Sequence, residues 1–299
     1  MHNIFYFTDL HGQLKLFHAI KDWCHLQDSE CTIIYGGDAA DRGEDGYQIM
    51  KELLDDKRII YLYGNHEDLF VRAAKAVLKT YEKNKEYLHN CNDTRASEII
   101  SHMHTIKDSD VELYLYNGGN PTLTAWLCDG ANKEFVDNIA TLPVTFSYGY
   151  IDFCHAGGNY NAFKEVSSAE YNNIRPNSYA IKNCIWDRNS IPLGWETSRV
   201  CIHGHTPTIH LPSGIYGRDK RMKNIHPCAW FDRMGGKSKR GGMKIDMDTA
   251  TAYSGRIYVL NCLTGIASGF YDPNIPNGNK NYPIKRLEDY KIKLIYEAE

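Results

Sequence analysis

The first 67 residues alternate between short apolar runs rich in β-branched and aromatic residues and longer stretches with apolar side chains at helical spacing. The short runs, at 3–8, 31–35 and 58–63, predict three strands, and the stretches at 13–27 and 45–55 predict two helices between them. This strand–helix rhythm predicts a parallel α/β sheet. Because ligands bind beyond the carboxyl ends of the strands in such sheets, polar residues that follow each strand are candidates for chemistry.

The rest of the chain departs from this rhythm. Residues 68–140 are rich in charges and mostly helical in pattern, with no long strand. Strands resume in a hairpin that turns near Gly149, and residues 214–242 are rich in glycine, lysine and arginine. We therefore predict one domain over 1–299, with a helical cap insertion at 68–142 and a basic loop insertion at 214–242. The later strands are predicted at 143–154, 199–203, 243–247 and 256–263.

Composition narrows the class of protein. Hydrophobic residues make up 42% and charged residues 24% of the 299 positions, which is ordinary for a globular domain. The net charge of −3 argues against a general nucleic-acid or membrane-surface binder, since these are usually basic. The nine cysteines are an odd number without a CxxC pair, which favours reduced core thiols. No signal peptide or membrane helix is evident, so we expect a cytoplasmic protein.

Four short polar motifs stand in chain order, and three of them follow strands of the first predicted sheet. They are Asp9-Leu10-His11-Gly12, Gly37-Asp38-Ala39-Ala40-Asp41-Arg42-Gly43, Gly64-Asn65-His66-Glu67, and a split pair, His155-Ala156-Gly157-Gly158 with Gly204-His205-Thr206-Pro207. They supply six metal-type donors: Asp9, His11, Asp38, Asn65, His155 and His205. Mixed oxygen and nitrogen donors favour Mn, with Fe or Zn possible, and suit Mg less well. Six ligands exceed what one open catalytic ion takes, so we predict two divalent ions that share Asp38.

Two ions about 3.5–4 Å apart stabilise the attacking and leaving oxygens of an in-line displacement at phosphorus. They also lower the pKa of a bound water from ~15.7 toward ~7, so hydroxide is available at neutral pH. Arg42 can then hold phosphoryl oxygens through its planar fork of donors. His66 can protonate the leaving alkoxide, and Asp41 can orient that imidazole. The motifs therefore predict a two-metal phosphoesterase.

The motif set resembles the calcineurin-like metallophosphoesterase superfamily and, within it, the compact bacterial and phage serine/threonine phosphatases of the PPP type. That family carries D-x-H-G, G-D-x-x-D-R-G, G-N-H-E, H-x-G-G and a late G-H. The resemblance implies a four-layer α/β/β/α sandwich. It assigns Asp9, His11 and Asp38 to the first metal, and Asp38, Asn65, His155 and His205 to the second. It also implies His66 as general acid, Asp41 as its partner, Arg42 on phosphate, and Arg188 of Trp186-Asp187-Arg188 as a second phosphate-binding arginine.

The resemblance is close over residues 8–67 and clear at 153–158 and 203–207. Thr8 stands where the family usually has glycine, and Pro207 stands where many members outside the PPP type have another histidine. The two predicted insertions lie where substrate choice is normally decided. The expected substrate is a phosphorylated protein or a small phosphoester.

Three other functions stay open. A symmetrical diadenosine tetraphosphate hydrolase shares the metal scaffold but tends to lack an acid-partner aspartate at the position of Asp41. A nucleic-acid end phosphatase is disfavoured by the charge balance, although the basic cluster at 218–240 keeps it open. A non-catalytic phosphatase-like regulator would require lost ligands, and all six are present.

Individual residues also have simpler interpretations. Arg188 beside Trp186 could equally stack or pair on the surface. His203 shares a strand face with His205 and is more often a packed histidine than a ligand. His102 and His104 fit a solvated helix surface.

Overall fold

The computed structural model describes residues 2–82, 85–173, 175, 177–190, 195–196, 199–210, 230–232, 243–277 and 282–291. Within the described part of the chain, no helix is both long and apolar enough to cross a membrane.

The N-terminal segment forms the predicted strand–helix alternation. Strands β1, β2 and β3 lie parallel, with Ile4 opposite Thr32 and Ile33 opposite Ile59. The elements are β1 (Ile4–Phe7), α1 (Leu14–Gln27), β2 (Thr32–Tyr35), α2 (Gly46–Asp55) and β3 (Ile59–Tyr61). Each parallel strand ends at the same edge of the sheet, so the residues that follow them are brought together.

Helices fill the region between β3 and the next strand. They are α3 (Asn65–Tyr81), α4 (Lys85–His89), α5 (Asp93–Thr105), α6 (Ser109–Tyr116), α7 (Asn120–Cys128) and α8 (Lys133–Ala140). Phe70 of α3 packs edge-on against Tyr114, Trp126 and Phe135, so these helices share one core. That 68–142 is an insertion into a simpler domain stays a prediction, as does the single domain over 1–299.

Helix α3 begins three residues before the predicted cap, inside the Gly64-Asn65-His66-Glu67 motif. The backbone N–H of Gly64 donates to the Glu67 carboxylate at 2.9 Å, which is half of a capping box. Asn65 and His66 therefore lie on the first turn of a helix, where the helix fixes the direction of both side chains.

The C-terminal part supplies the second sheet and the remaining strands of the first. The predicted hairpin is present, with Gly149 at its turn at φ 57°. The elements are β4 (Thr145–Tyr148), β5 (Ile151–Cys154), α9 (Tyr160–Tyr171), α10 (Ser178–Trp186), β6 (Val200–His203), a 3₁₀ turn (Thr208–His210), β7 (Trp230–Asp232), β8 (Met243–Asp246), α11 (Thr251–Ser254), β9 (Arg256–Asn261), β10 (Ile266–Tyr271), α12 (Asn274–Asn277), β11 (Lys285–Arg286) and β12 (Tyr290–Lys291). The predicted basic insertion at 214–242 lies outside the described residues except for β7, which pairs with β8.

The two sheets pack face to face. The first has the order β11-β10-β9-β1-β2-β3, with β12 also on β10, and the second has the order β4-β5-β6-β8-β7. Tyr6 of the first sheet stacks on Phe153 of the second, with ring centroids 5.5 Å apart. Alternate residues of β1 point the other way, where Phe5 contacts Trp23 of α1.

The second sheet also buries its outer face, because Cys154 and Cys201 belong to the same core as residues of α9 and α10. Helices thus cover both outer faces, and the predicted α/β/β/α sandwich is confirmed.

Candidate active site

The six predicted metal ligands all lie at strand ends and are buried. Asp9 and His11 follow β1, Asp38 follows β2, and Asn65 follows β3. The second sheet contributes the other two from the ends of β5 and β6, His155 and His205. None of the six is more than 3% exposed.

The backbone at this edge is strained. Asp9, His11 and Asp38 have φ of 57°, 46° and 59°, and His205 has φ of 71°. Residues other than glycine rarely adopt this left-handed backbone conformation, which costs about 1–3 kcal/mol at each position. Such strain persists only where surrounding structure imposes it, and it is concentrated at functional sites.

One group of potential ligands surrounds Asn65. His155 Nδ1 lies 2.8 Å from the carbonyl of Gly36, so that nitrogen carries the proton of the neutral ring. Its Nε2 then presents a lone pair to Asn65 Oδ1 at 2.9 Å and Asp38 Oδ1 at 3.2 Å. His205 Nε2 lies 3.1 Å from the Trp186 carbonyl, which directs its Nδ1 lone pair at Asn65 Oδ1, 2.7 Å away.

Neutral rings in these positions bring four acceptor atoms together without a hydrogen between them. A divalent cation is the species that satisfies such a cluster, and oxygen with imidazole nitrogen is an ordinary ligand set for it. Burial disfavours the charged form of His155, but Asp38 outweighs burial and raises the pKa of that imidazole to about 10. A cation at this place therefore competes with a proton for the His155 lone pair.

A second group consists of His11, Asp38 and His66. His11 donates from Nδ1 to the Ala40 carbonyl at 2.9 Å and turns Nε2 toward Asp38 Oδ2, 3.7 Å away. Burial, followed by the positive charge of Arg42, keeps the pKa of His11 well below its usual range, which favours a neutral ring with a lone pair on Nε2. Asp38 belongs to both groups. That it is shared by two ions stays a prediction.

Asp9 lies beside these groups without belonging to either. Its carboxylate accepts from the Thr8 hydroxyl at 2.7 Å and from the backbone N–H of His205 at 3.2 Å. The second group contains His66, which was predicted as an acid, where Asp9 was expected; its Nε2 lies 3.8 Å from Asp38 Oδ2. The assignment of Asp9 to the first metal stays a prediction.

The predicted acid and its partner are in contact. His66 Nδ1 lies 2.6 Å from Asp41 Oδ2, and both residues are buried. Burial disfavours the charged imidazole, but Asp38 and the bond to Asp41 outweigh it and raise the pKa of His66. This shift is in the direction that favours a protonated ring.

The two predicted arginines contact different residues of the site. Arg42 spans the second group, with Nη1 2.7 Å from His11 Nε2 and Nη2 3.2 Å from His66 Nε2. Arg188 donates from Nη1 to the carbonyl of His205 at 2.9 Å and to the Thr206 hydroxyl at 3.0 Å. Both guanidinium groups keep further N–H donors for a phosphoryl group.

His203 contacts the carbonyl of its neighbour Gly204 and belongs to neither donor group found among the described residues. His102 and His104 are exposed, as expected.

Several residues around the site were not assigned a role from the sequence. Glu67 accepts four hydrogen bonds, and two of them, from the N–H groups of Asp38 and Ala39, join the second and third motifs. Tyr114 and Thr122, on the helices over the site, both contact Asp41. Glu67 was visible as part of its motif. Tyr114 and Thr122 leave no comparable sign, because each is one polar residue in a helical segment.

The family model for the calcineurin-like phosphoesterases matches residues 2–208, more than half of the chain. The chain belongs to this family. The family implies a metal-dependent phosphoesterase that uses two metal ions, and the two donor groups of this calcineurin-like phosphoesterase could hold them. No curated protein matches its sequence.

Solved structures similar to this phosphoesterase span several activities. A candidate diadenosine tetraphosphatase is 12% identical, with 96% of this chain and 93% of that chain covered and a TM-score of 0.38. A cold-active protein-tyrosine phosphatase of a psychrophilic Shewanella species is 14% identical, with 96% and 81% covered and a TM-score of 0.44. A protein serine/threonine phosphatase from Saccharomyces cerevisiae is 12% identical, with 97% and 80% covered and a TM-score of 0.41. Likenesses at this level do not select a substrate.

Proposed function

We propose that this phosphoesterase is a phosphomonoesterase of the serine/threonine phosphoprotein phosphatase type that works best with manganese. The observation that carries the proposal is the buried contact between His66 Nδ1 and Asp41 Oδ2 at 2.6 Å. Cleavage of an alkyl phosphate expels a strongly basic alkoxide, so a positioned acid matters most for this substrate class. A phosphorylated serine or threonine side chain is such an ester.

The ligand residues would be Asp9, His11 and Asp38 for one ion and Asp38, Asn65, His155 and His205 for the other. Two divalent ions at these residues supply an activated water and neutralise charge on the phosphoryl group. The protein's own contribution begins with substrate placement. Arg42 and Arg188 hold the phosphoryl oxygens from two sides, and the planar forks of their guanidinium groups fix its orientation.

His66 then acts at the leaving oxygen. Its Nε2 faces the site and gives up a proton as the bond to phosphorus breaks. The Nδ1–H remains donated to Asp41, whose negative charge stabilises the imidazolium before transfer and keeps the ring oriented. Because Asp41 and His66 are buried, no water competes for this hydrogen bond.

The test compares substrates side by side. Protein stripped with a chelator and reloaded with Mn²⁺ is assayed on a phosphoserine peptide, on p-nitrophenyl phosphate and on diadenosine tetraphosphate. We expect turnover of the two monoesters and little release of nucleoside diphosphates. Absence of monoester turnover with every divalent metal would overturn the proposal. Symmetrical cleavage of the dinucleotide as the fastest reaction would replace it with the diadenosine tetraphosphate hydrolase.

His66→Asn tests the acid. General acids contribute about 10²–10⁴-fold, so we expect a loss of that size on the phosphoserine peptide. The loss on p-nitrophenyl phosphate should be much smaller, since nitrophenolate leaves without a proton. His104→Asn, at an exposed position on α5, is the matched control and should change neither rate. Equal losses of His66→Asn on both substrates would remove His66 from the acid role.

A further inference from the structure

The catalytic loop that carries Asp41 and Arg42 is held from above by helices α6 and α7. The Tyr114 hydroxyl of α6 donates to Asp41 Oδ1, while Asp41 Oδ2 bonds His66. The backbone N–H of Asp41 donates to the Thr122 hydroxyl of α7 at 3.0 Å. The backbone N–H of Arg42 donates to the Gly118 carbonyl, between those helices, at 2.9 Å.

These contacts act on a strained turn. Asp41 and Arg42 have φ of 74° and 65°, a conformation that neither residue favours alone. Asp41 is fully buried, so its carboxylate has no solvent to satisfy the oxygen that does not face His66. Tyr114, equally buried, supplies that hydrogen bond and fixes the rotation of the carboxylate.

We propose that Tyr114 is a positioning residue for the proton-donating pair and that it acts through Asp41 on His66. The inference rests on the proposed function, because it concerns the acid of that reaction. Without the hydroxyl, Asp41 Oδ1 is a buried acceptor without a partner. The carboxylate then turns or binds a proton, and either change weakens its hold on the His66 ring.

The effect must depend on the leaving group. A weaker acid slows expulsion of a serine alkoxide and leaves expulsion of nitrophenolate nearly unchanged. Loosening of the fold alone would slow both reactions equally. Tyr114→Phe keeps the ring and its packing against Phe70, so it separates these two consequences.

Tyr47→Phe is the matched control. The Tyr47 hydroxyl also donates to a carboxylate, that of Asp129 at 2.8 Å, and also links α2 to the end of α7. Tyr47→Phe therefore removes the same kind of hydrogen bond without changing any contact of Asp41.

The experiment measures kcat of the Mn²⁺-loaded parent, of Tyr114→Phe and of Tyr47→Phe on the phosphoserine peptide and on p-nitrophenyl phosphate. For Tyr114→Phe we expect about a tenfold fall on the peptide, at the low end of what an acid contributes, and less than about twofold on the aryl ester. The fall should vanish in a His66→Asn background, because Tyr114 then has nothing to act through. An equal fall on both substrates, or a fall that persists without His66, would overturn the proposal.

A second measurement does not depend on turnover. In metal-free protein the His66 Nδ1 proton should give a far-downfield ¹H resonance, because it lies in a short bond to a carboxylate. We expect Tyr114→Phe to shift that resonance upfield and Tyr47→Phe to leave it in place. If the resonance does not shift in Tyr114→Phe, the inference is overturned even if the proposed activity stands. If it shifts in Tyr114→Phe but the parent enzyme is inactive, only the proposed function fails. Should Tyr114→Phe not fold, Thr122→Val, which removes the acceptor for the Asp41 N–H, must show the same substrate dependence.

Discussion

Replacing Glu67 with glutamine should damage both the fold and the metal site. Glu67 is fully buried and lies on the first turn of α3. One of its oxygens accepts from the backbone N–H groups of Asp38 at 2.8 Å and Gly64 at 2.9 Å. The other accepts from the N–H of Ala39 and the hydroxyl of Tyr61, both at 2.8 Å. Three of the four partners are backbone N–H groups that can only donate.

The magnitude follows from this geometry. A glutamine of the same shape keeps one acceptor oxygen and turns an NH₂ group toward the other pair of donors. The better orientation places the NH₂ beside Tyr61, whose hydroxyl can rotate to accept, and leaves only the Ala39 N–H unpaired. An unpaired buried donor costs about 1–3 kcal/mol, and each remaining bond weakens by about 1 kcal/mol when its acceptor loses its charge. Since a charge no longer has to be buried, we expect a net destabilisation of about 2–4 kcal/mol.

Urea unfolding in EDTA measures this free energy, provided that the m value stays equal to that of the parent. The same variant should bind Mn²⁺ about 10–100-fold more weakly by calorimetric titration, because residues that orient metal ligands have effects of that size. Glu170→Gln is the control. Its carboxylate accepts from the Val144 N–H at 2.7 Å and the Thr145 hydroxyl at 2.6 Å, and none of these contacts involves a site residue. A Glu67→Gln protein with parental stability and parental Mn²⁺ affinity would refute this reasoning.

Two further predictions concern backbone and charge. Gly12→Ala should destabilise the fold by more than the roughly 1 kcal/mol that alanine costs in the left-handed conformation, because φ is 74° and the added Cβ would lie 2.6 Å from the Gly43 carbonyl carbon. Gly149→Ala is the control: φ is 57° and nothing lies within 4 Å, so it should show the conformational cost alone in the same denaturation assay. The guanidinium of Arg58, which donates two bonds to Asp56, lowers the pKa of that carboxyl. As pH falls, Asp56 therefore binds a proton at a higher pH in the unfolded chain than in the folded protein. The stabilisation is present above about pH 4 and is lost as pH falls through the pKa of the folded state. Stability curves of parent and Asp56→Asn should converge in acid, and parallel curves between pH 2 and 6 would contradict the assignment.

Much of this fold follows from short-range pattern. The three apolar runs before residue 64 and the helical spacing between them predict β1 to β3 correctly, because strands and helices each impose their own period on buried positions. Parallel strands end at one edge, so the motifs that follow them had to meet there. The meeting of Asp38 with His11 follows from that rule. His155 and His205 come from strands of the second sheet, so their position beside Asp38 depends on how the two sheets pack.

Other features depend on the tertiary structure. The sequence did not place Asp9 outside the two donor groups or His66 beside Asp38, since these positions depend on backbone angles and rotamers that the final packing imposes. It also gave no sign that Tyr114 reaches Asp41 across 73 positions of the chain.

The amino-acid sequence by itself determined that the motifs after β1, β2 and β3 meet at one sheet edge, because periodic burial and strand direction are local properties that accumulate along the chain. Only the tertiary structure decided what holds the acid pair in place. A hydrogen bond between residues far apart in the chain needs one polar atom at each end, and a single polar atom leaves no periodic pattern in the sequence.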